Sequence, residues 1–176
     1  MQPLICILLI YLLSSNLEEY YEEKFSWYYY QLGQGVSMSK LKHIAIATQD
    51  PEATSEFYRE TLGLELVGKV QGDNAEGYYL SDGNINIAIL KFKNEIVAGD
   101  QGIEYSGIHH IGFQVDDAEL MDSKLKQGNF LPKDDVNKAL HSGSHKGGSG
   151  KNVETKYTGP DGVMIDISQG GWVGTN

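Results

Sequence analysis

The sequence has a single cysteine, Cys6, and it lies outside the segment that reads as a folded domain. One such thiol excludes a disulfide framework, a CxxC metal site and a cysteine nucleophile. No lysine- or arginine-rich run occurs, and the formal net charge is −10. A surface of that sign repels phosphate backbones and anionic membranes, which argues against nucleic acid as a partner and against membrane association of the domain. Neither a P-loop nor a GxGxxG occurs, so phosphate cradling by a glycine-rich loop is not expected. What is present is ordinary for a globular domain: 40% hydrophobic and 22% charged residues, with 21 glycines that suggest many turns.

The first 37 residues differ from the rest. "PLICILLIYLL", residues 3 to 13, is followed by acid and tyrosine clusters. Eleven apolar residues fall short of the roughly 20 that span a bilayer. They fit the core of a signal peptide, yet no Lys or Arg precedes them and no A-x-A type site follows. Met38 opens "MSKLKHIAIA", a natural start directly before a strand. Residues 1–37 are therefore read as an extension outside the domain: an upstream start, a signal or anchor, or a structural addition. The domain is expected over 38–176, cytoplasmic if translation starts at Met38 and otherwise exported or anchored.

A repeat organises the domain, with units at about 41–92 and 108–168. "LKHIAIATQDPEATSEFYRETLGLEL" aligns with "IHHIGFQVDDAELMDSKLKQGNF", matching His43 to His110. Seven residues after each histidine stands Asp50 or Asp117, a good helix N-cap, and Pro51 suits a first helical position. Ala53 with Phe57, and Met121 with Leu125, give each helix an apolar stripe. Gly63 and Gly128 stand where a left-handed stop is expected. Three strands then follow in the first unit: "LELVGKV", "EGYYLSD" and "NINIAIL". In the second come "NFLP", a long polar loop, "VETKYTG" and "VMIDIS". Asp-Gly turns at 81–84 and 160–163 precede each last strand. The expected fold is α+β: two βαβββ units whose strands form one curved mixed sheet around a cup.

Alternation divides each strand into faces. His43, Ala45 and Ala47 oppose Ile44 and Ile46, while His110, Gly112 and Gln114 oppose Ile111, Phe113 and Val115. The histidine faces carry small neighbours, as a cavity wall needs, and His109 falls on the opposite face or its edge. On the last strand Asp166 shares a face with Met164 and Ser168. A carboxylate in mid-strand is costly unless it is paired or binds a metal. Two histidines and one carboxylate at matched positions of a repeat point to a metal site at His43, His110 and Asp166.

"KHIAIATQDPEATSEFYRETLGLELV", "HHIGFQVDD" and "GPDGVMIDIS" together resemble the vicinal oxygen chelate superfamily, over about residues 40–170. That group includes glyoxalase I, extradiol dioxygenases, methylmalonyl-CoA epimerase and the fosfomycin and bleomycin resistance proteins. The resemblance implies one divalent metal in the cup, with ligands on the first and last strands of each unit. His43, His110 and Asp166 take three of those positions. Counting from the Asp-Gly turn gives Ile87 for the fourth, where glyoxalase I typically has Glu and the epimerase Gln. That isoleucine favours dioxygenase-like chemistry with Fe(II), the 2-His-1-carboxylate set of non-haem oxygenases. Mn, Ni, Co and Zn are alternatives. A glyoxalase-like lyase or isomerase and a metal-free ligand-binding resistance protein remain open. The resemblance implies a small vicinally oxygenated substrate, and relatives of this length often pair as homodimers.

Other residues take lesser parts. Tyr157 stands near the tyrosine that extradiol enzymes carry before the final strand, the weak candidate for catalysis. Tyr78, Tyr79 and Tyr157 are candidates to line the cup. Glu76 and Glu104 read as surface residues. His141 and His145 fall in a Gly/Ser-rich spacer, with Lys146 and Lys151 as a conceivable clamp for an anion. Trp172 is expected over an open edge or a partner subunit.

Overall fold

The computed structural model describes residues 38–142 and 154–176. The N-terminal extension, Cys6, His145, Lys146 and Lys151 lie outside the described residues, as does the side chain of His141.

Both helix starts form at their aspartates. Asp50 Oδ1 accepts from Ala53 N at 3.0 Å and Asp117 Oδ1 from Leu120 N at 2.9 Å, each satisfying an N–H that has no partner within its helix. Helix α1 runs Pro51–Glu56 and continues as a π turn over Phe57–Thr61. It buries Ser55, while Phe57 is 52% exposed against the edge of Tyr58. The expected Ala53–Phe57 stripe is thus not the buried one. Gly63 is left-handed at φ 78°, but Gly128 is not; Asn129 takes φ 61° instead. Asparagine is among the few residues that tolerate that conformation.

The strands are β1 (Lys40–Ala47), β2 (Glu65–Gln71), β3 (Ala75–Ser81), β4 (Asn86–Phe92), β5 (Gly107–Gln114), β6 (Thr155–Thr158) and β7 (Met164–Ser168). They form a seven-stranded sheet in the order β2-β3-β4-β1-β5-β7-β6. It is mixed as expected: β1/β4 and β5/β7 are parallel, and the other pairs antiparallel. The second unit lacks one expected strand. "NFLP" supplies a lone bridge, Pro132 to Tyr157. It is held by Thr158 N to the Leu131 carbonyl and Lys133 N to the Lys156 carbonyl, and the chain turns into a helix at Asp134 before the pairing can extend. Part of the expected polar loop is a helix, α4 (Asp134–Ser142).

Two further helices are α2 (Glu95–Ala98), capped by Asn94, and α3 (Ala118–Gln127). On one face of the sheet α3 packs Met121 and Leu125 against Val115, Tyr157 and Ile167. The other face, which carries the histidines, is covered rather than open along Ala45, Ala47, Ala88 and Leu90. Val97 and Ala98 of α2, with Ile103, Tyr105, Ala139 and Leu140, pack onto it. The small side chains are what lets that second layer approach.

Candidate metal centre

His43 enters from β1, His110 from β5 and Asp166 from β7, and all three are buried. His43 Nε2 and His110 Nε2 are 3.2 Å apart, and His110 Nε2 is 3.3 Å from Asp166 Oδ2. One ligand atom from each residue lies within 4.8 Å of the others.

The hydrogen bonds behind these atoms fix both tautomers. Asn86 Nδ2 donates to the Val173 carbonyl at 2.9 Å, so its amide oxygen faces His43 Nδ1 at 2.8 Å. That oxygen only accepts; His43 therefore carries its proton on Nδ1 and presents a bare lone pair at Nε2. A second chain does the same for His110. The Ala98 carbonyl lies 2.9 Å from His109 Nε2 and holds a proton there. His109 Nδ1 must then accept from His110 Nδ1, 2.8 Å away, which leaves His110 Nε2 bare as well. Burial keeps the rings neutral. It lowers His43 to about 4, against a smaller upward pull from Glu154. It lowers His110 well below the ordinary value, helped by Lys156, and lowers His109 too.

Two lone pairs and a carboxylate thus converge with no proton between the imidazoles. Such a donor set fits a divalent cation, and the acceptor behind each ligating ring, the Asn86 amide oxygen for His43 and His109 Nδ1 for His110, orients it as such contacts do for metal-ligating histidines. The site could hold one divalent metal.

His109 does not lie on the face opposite His110. On β1 one step leads from Ala45 to Ile46, while on β5 their partners His110 and Ile108 are two residues apart. His109 is the extra residue of a β-bulge, which breaks the alternation. Its ring lies 4.3 Å from that of Phe92 on the histidine face.

The fourth ligand position also changes identity. His43 pairs with Asn86 and Ala45 with Ala88, whereas Gly112 pairs with Asp166. Because Gly112 and Ala45 are repeat partners, Ala88 is the counterpart of Asp166. Ala88, not Ile87, stands at the fourth position, and it offers no ligand either, so the set stays at three; Asn86, two residues earlier, contacts His43.

Three further residues complete the site. Lys156 lies opposite Asp166 in the β6/β7 register. Its Nζ donates to Asp166 Oδ2 and lies 3.4 Å from His110 Nε2 and 3.8 Å from Glu154 Oε2. Glu154 is held above the usual carboxylate range, first by burial and then by the Asp166 charge. Trp172 stacks on His43, ring centroids 5.0 Å apart and planes 3° from parallel. The tryptophan therefore covers the site itself rather than an edge. It fits because Gly112 lies beneath it: a Cβ there would stand 2.7 Å from Trp172 Cζ2.

A family model, Glyoxalase/Bleomycin resistance protein/Dioxygenase superfamily, matches residues 40–167. The chain belongs to this superfamily. An ethylmalonyl-CoA/methylmalonyl-CoA epimerase of Cereibacter sphaeroides is 33% identical over 96 residues, 51% of this chain and 71% of the relative. Among solved structures, Streptomyces coelicolor methylmalonyl-CoA epimerase in complex with 2-nitronate-propionyl-CoA shares 22% identity at TM-score 0.55, covering 75% of this chain and 97% of that one. The Mycobacterium tuberculosis methylmalonyl-CoA epimerase gives 19% and 0.55, covering 76% and 90%.

Within the superfamily fold the other expected residues separate. Tyr157 is not at the centre; its hydroxyl donates to Asp122 Oδ1 at 2.8 Å and its ring packs under α3. Tyr78 donates to Glu52 of α1. Tyr79 does lie on the histidine side, pairing with Ala88, and burial with the nearby carboxylates pushes its hydroxyl up to about 12. Glu76 pairs with Lys93 at 2.5 Å and Glu104 is exposed, both surface residues as expected. No helix of the described residues is long and apolar enough to cross a membrane.

Asn86, Glu154, Lys156 and Trp172 were not singled out as site residues from the sequence. The signal for Asn86 is the parity of β4: "NINIAIL" alternates, and only pairing with β1 says which half faces the histidines. Lys156 and Glu154 stand at alternate positions two residues apart, so they share a face.

Proposed function

We propose that this chain is a divalent-metal isomerase of the epimerase kind, moving a proton at a carbon beside a thioester carbonyl, with His43, His110 and Asp166 holding the metal. The observation that carries this reading is Glu154, a partly buried carboxyl 3.8 Å from Lys156 Nζ and beside Asp166, whose proton affinity is raised by desolvation and by the neighbouring negative charge. A carboxyl tuned upward is what proton transfer near neutral pH requires. A bound divalent ion would supply Lewis-acid polarisation of the substrate oxygens. The chain's residues do the rest. Glu154 takes the proton from carbon to leave an enolate, and inversion follows when a second proton is delivered to the opposite face of that enolate. Asn86 and His109 hold the imidazole lone pairs inward, and Trp172 excludes water from the His43 side. The Cereibacter sphaeroides relative supports an acyl-CoA thioester as substrate. The dioxygenase reading keeps its three-ligand set, since Ala88 offers no donor, but the epimerase relative favours proton transfer over oxygen chemistry, and with it Co, Mn, Ni or Zn rather than Fe(II).

The test uses the full chain supplied with Co(II) or Mn(II), with methylmalonyl-CoA and ethylmalonyl-CoA in deuterated water. The expected result is loss of the C2 proton signal by NMR, slowed about 100-fold or more in Glu154→Gln. Absence of exchange on both thioesters by metal-bound protein would refute the isomerase reading.

A further inference from the structure

We propose that Lys156 is a competitor built into the cation position: its ammonium and a divalent ion exclude one another. The inference rests on the proposed ligand set and is independent of the reaction.

Lys156 is 3% exposed, and three elements of the site meet at its Nζ. Asp166 Oδ2 accepts from it, His110 Nε2 lies at 3.4 Å and Glu154 Oε2 at 3.8 Å. The first two are atoms that would ligate the metal. A carboxylate oxygen and an imidazole lone pair bound by an ammonium have little capacity left for a metal about 2.0–2.2 Å away. The two cations would also repel across a buried space where screening is weak. Lys156 is therefore not an orienting residue behind a ligand, as Asn86 and His109 are; it occupies the ligand side.

Its backbone is fixed. Asn137 Oδ1 accepts from Lys156 N at 2.8 Å, and the Lys156 carbonyl accepts from Asn137 Nδ2 at 3.0 Å and Lys133 N at 2.8 Å. Across β6 the residue pairs with Asp166. Release of the cation position then falls to the flexible side chain and needs no movement of the sheet. The ammonium engages His110 and Asp166 together.

Two measurements test this on the full chain. Isothermal titration with Co(II), Ni(II) and Zn(II) compares the wild type with Lys156→Met. Affinity at least 10-fold tighter in the variant, abolished by adding His110→Ala, is the expected result, and it holds also if the wild type binds too weakly to measure. Equal or weaker affinity in Lys156→Met, or no binding by either chain, overturns the proposal. Since the variant leaves Asp166 without its ammonium and can misfold, amine labelling of the wild type followed by mass spectrometry provides the second measurement. Lys156 should be protected in the metal-free protein and become reactive at saturating metal. Protection unchanged by bound metal overturns the proposal. Both readouts omit substrate, so failed proton exchange with intact competition would sink the isomerase reading alone.

Discussion

Gly112→Ala tests the geometry of the site most directly. Gly112 has ordinary backbone angles, so an alanine meets no strain of its own. The added Cβ would stand 2.7 Å from Trp172 Cζ2, 2.8 Å from Trp172 Cη2 and 2.8 Å from His43 Cβ. Real Cβ atoms do not approach that closely, so the indole must move and β1 must yield slightly from β5 at His43. Overpacking of this sort costs about 1–3 kcal/mol. Removing a glycine from the unfolded chain returns about 0.4–1 kcal/mol. The net loss is about 1–2 kcal/mol, or roughly 2–8 °C in Tm for a chain of this size. The assay is a thermal melt followed by circular dichroism, in a Trp27→Phe background that leaves Trp172 as the sole tryptophan. Emission should shift to the red as the indole leaves its stacked, 6% exposed position. An unchanged Tm with unchanged emission would refute the placement of Trp172 over His43.

Acid should destabilise the metal-free protein through its histidines. His43 binds a proton near 4 when folded and near 6.5 when unfolded, so between those values the unfolded chain holds more protons and stability falls as pH falls. For His43 alone the loss approaches about 3 kcal/mol by pH 4. His110 acts in the same direction, while Glu154, raised when folded, contributes oppositely by losing stability as pH rises above its unfolded value. Urea unfolding in chelator at pH 7 and pH 4.5 measures the balance, and Glu154→Gln removes the opposing group; equal stability of that variant at both would contradict neutral, buried histidines. Asn86→Ala removes the acceptor behind His43 and should cost about 1–3 kcal/mol in stability and about 10–100-fold in metal affinity, read by denaturation and titration. Tyr157→Phe should cost about 1 kcal/mol through its lost bond to Asp122 and leave thioester proton exchange unchanged. A large loss of exchange would return Tyr157 to the site.

The parts of this protein that are legible in its sequence are those set by local chemistry and by the repeat. Asp50 and Asp117 cap helices because a carboxylate followed by a free N–H is a local arrangement. His43, His110 and Asp166 are found because period-two alternation and matched repeat positions act together. Features set by register are hidden. The bulge at His109 moves one residue across the sheet without any change in composition. Whether Asn86 or Ile87 faces the histidines depends on the pairing of β4 with β1, since "NINIAIL" alternates equally well either way. Lys156 in "VETKYTG" reads as a solvated strand residue until β6 is set against β7 and Asp166 appears opposite. α4 did leave a signal: Val136, Ala139 and Leu140 keep helical spacing behind two acidic residues, within a stretch whose polarity suggests a loop.

The arrangement at the centre is a poor one for stability by itself. Asp166 is fully buried, and among the described residues no hydrogen bond within ordinary geometry reaches its Oδ1. A buried ion pair such as Lys156–Asp166 is often matched or bettered by apolar residues of similar volume. Two hydrogen-bond chains, from Val173 and from Ala98, aim imidazole lone pairs at one another across 3.2 Å. The ammonium relieves this only in part. It engages Asp166 and His110, while the neighbour of His43 Nε2 is another acceptor. A divalent ion would satisfy both lone pairs and the carboxylate together. Competition between the two cations is thus between partial and full satisfaction of one donor set, and the occupant depends on how much metal is offered. Lys156 partners Asp166 and His110 in the protein without metal, and by the same contacts it lowers the affinity of the site for metal.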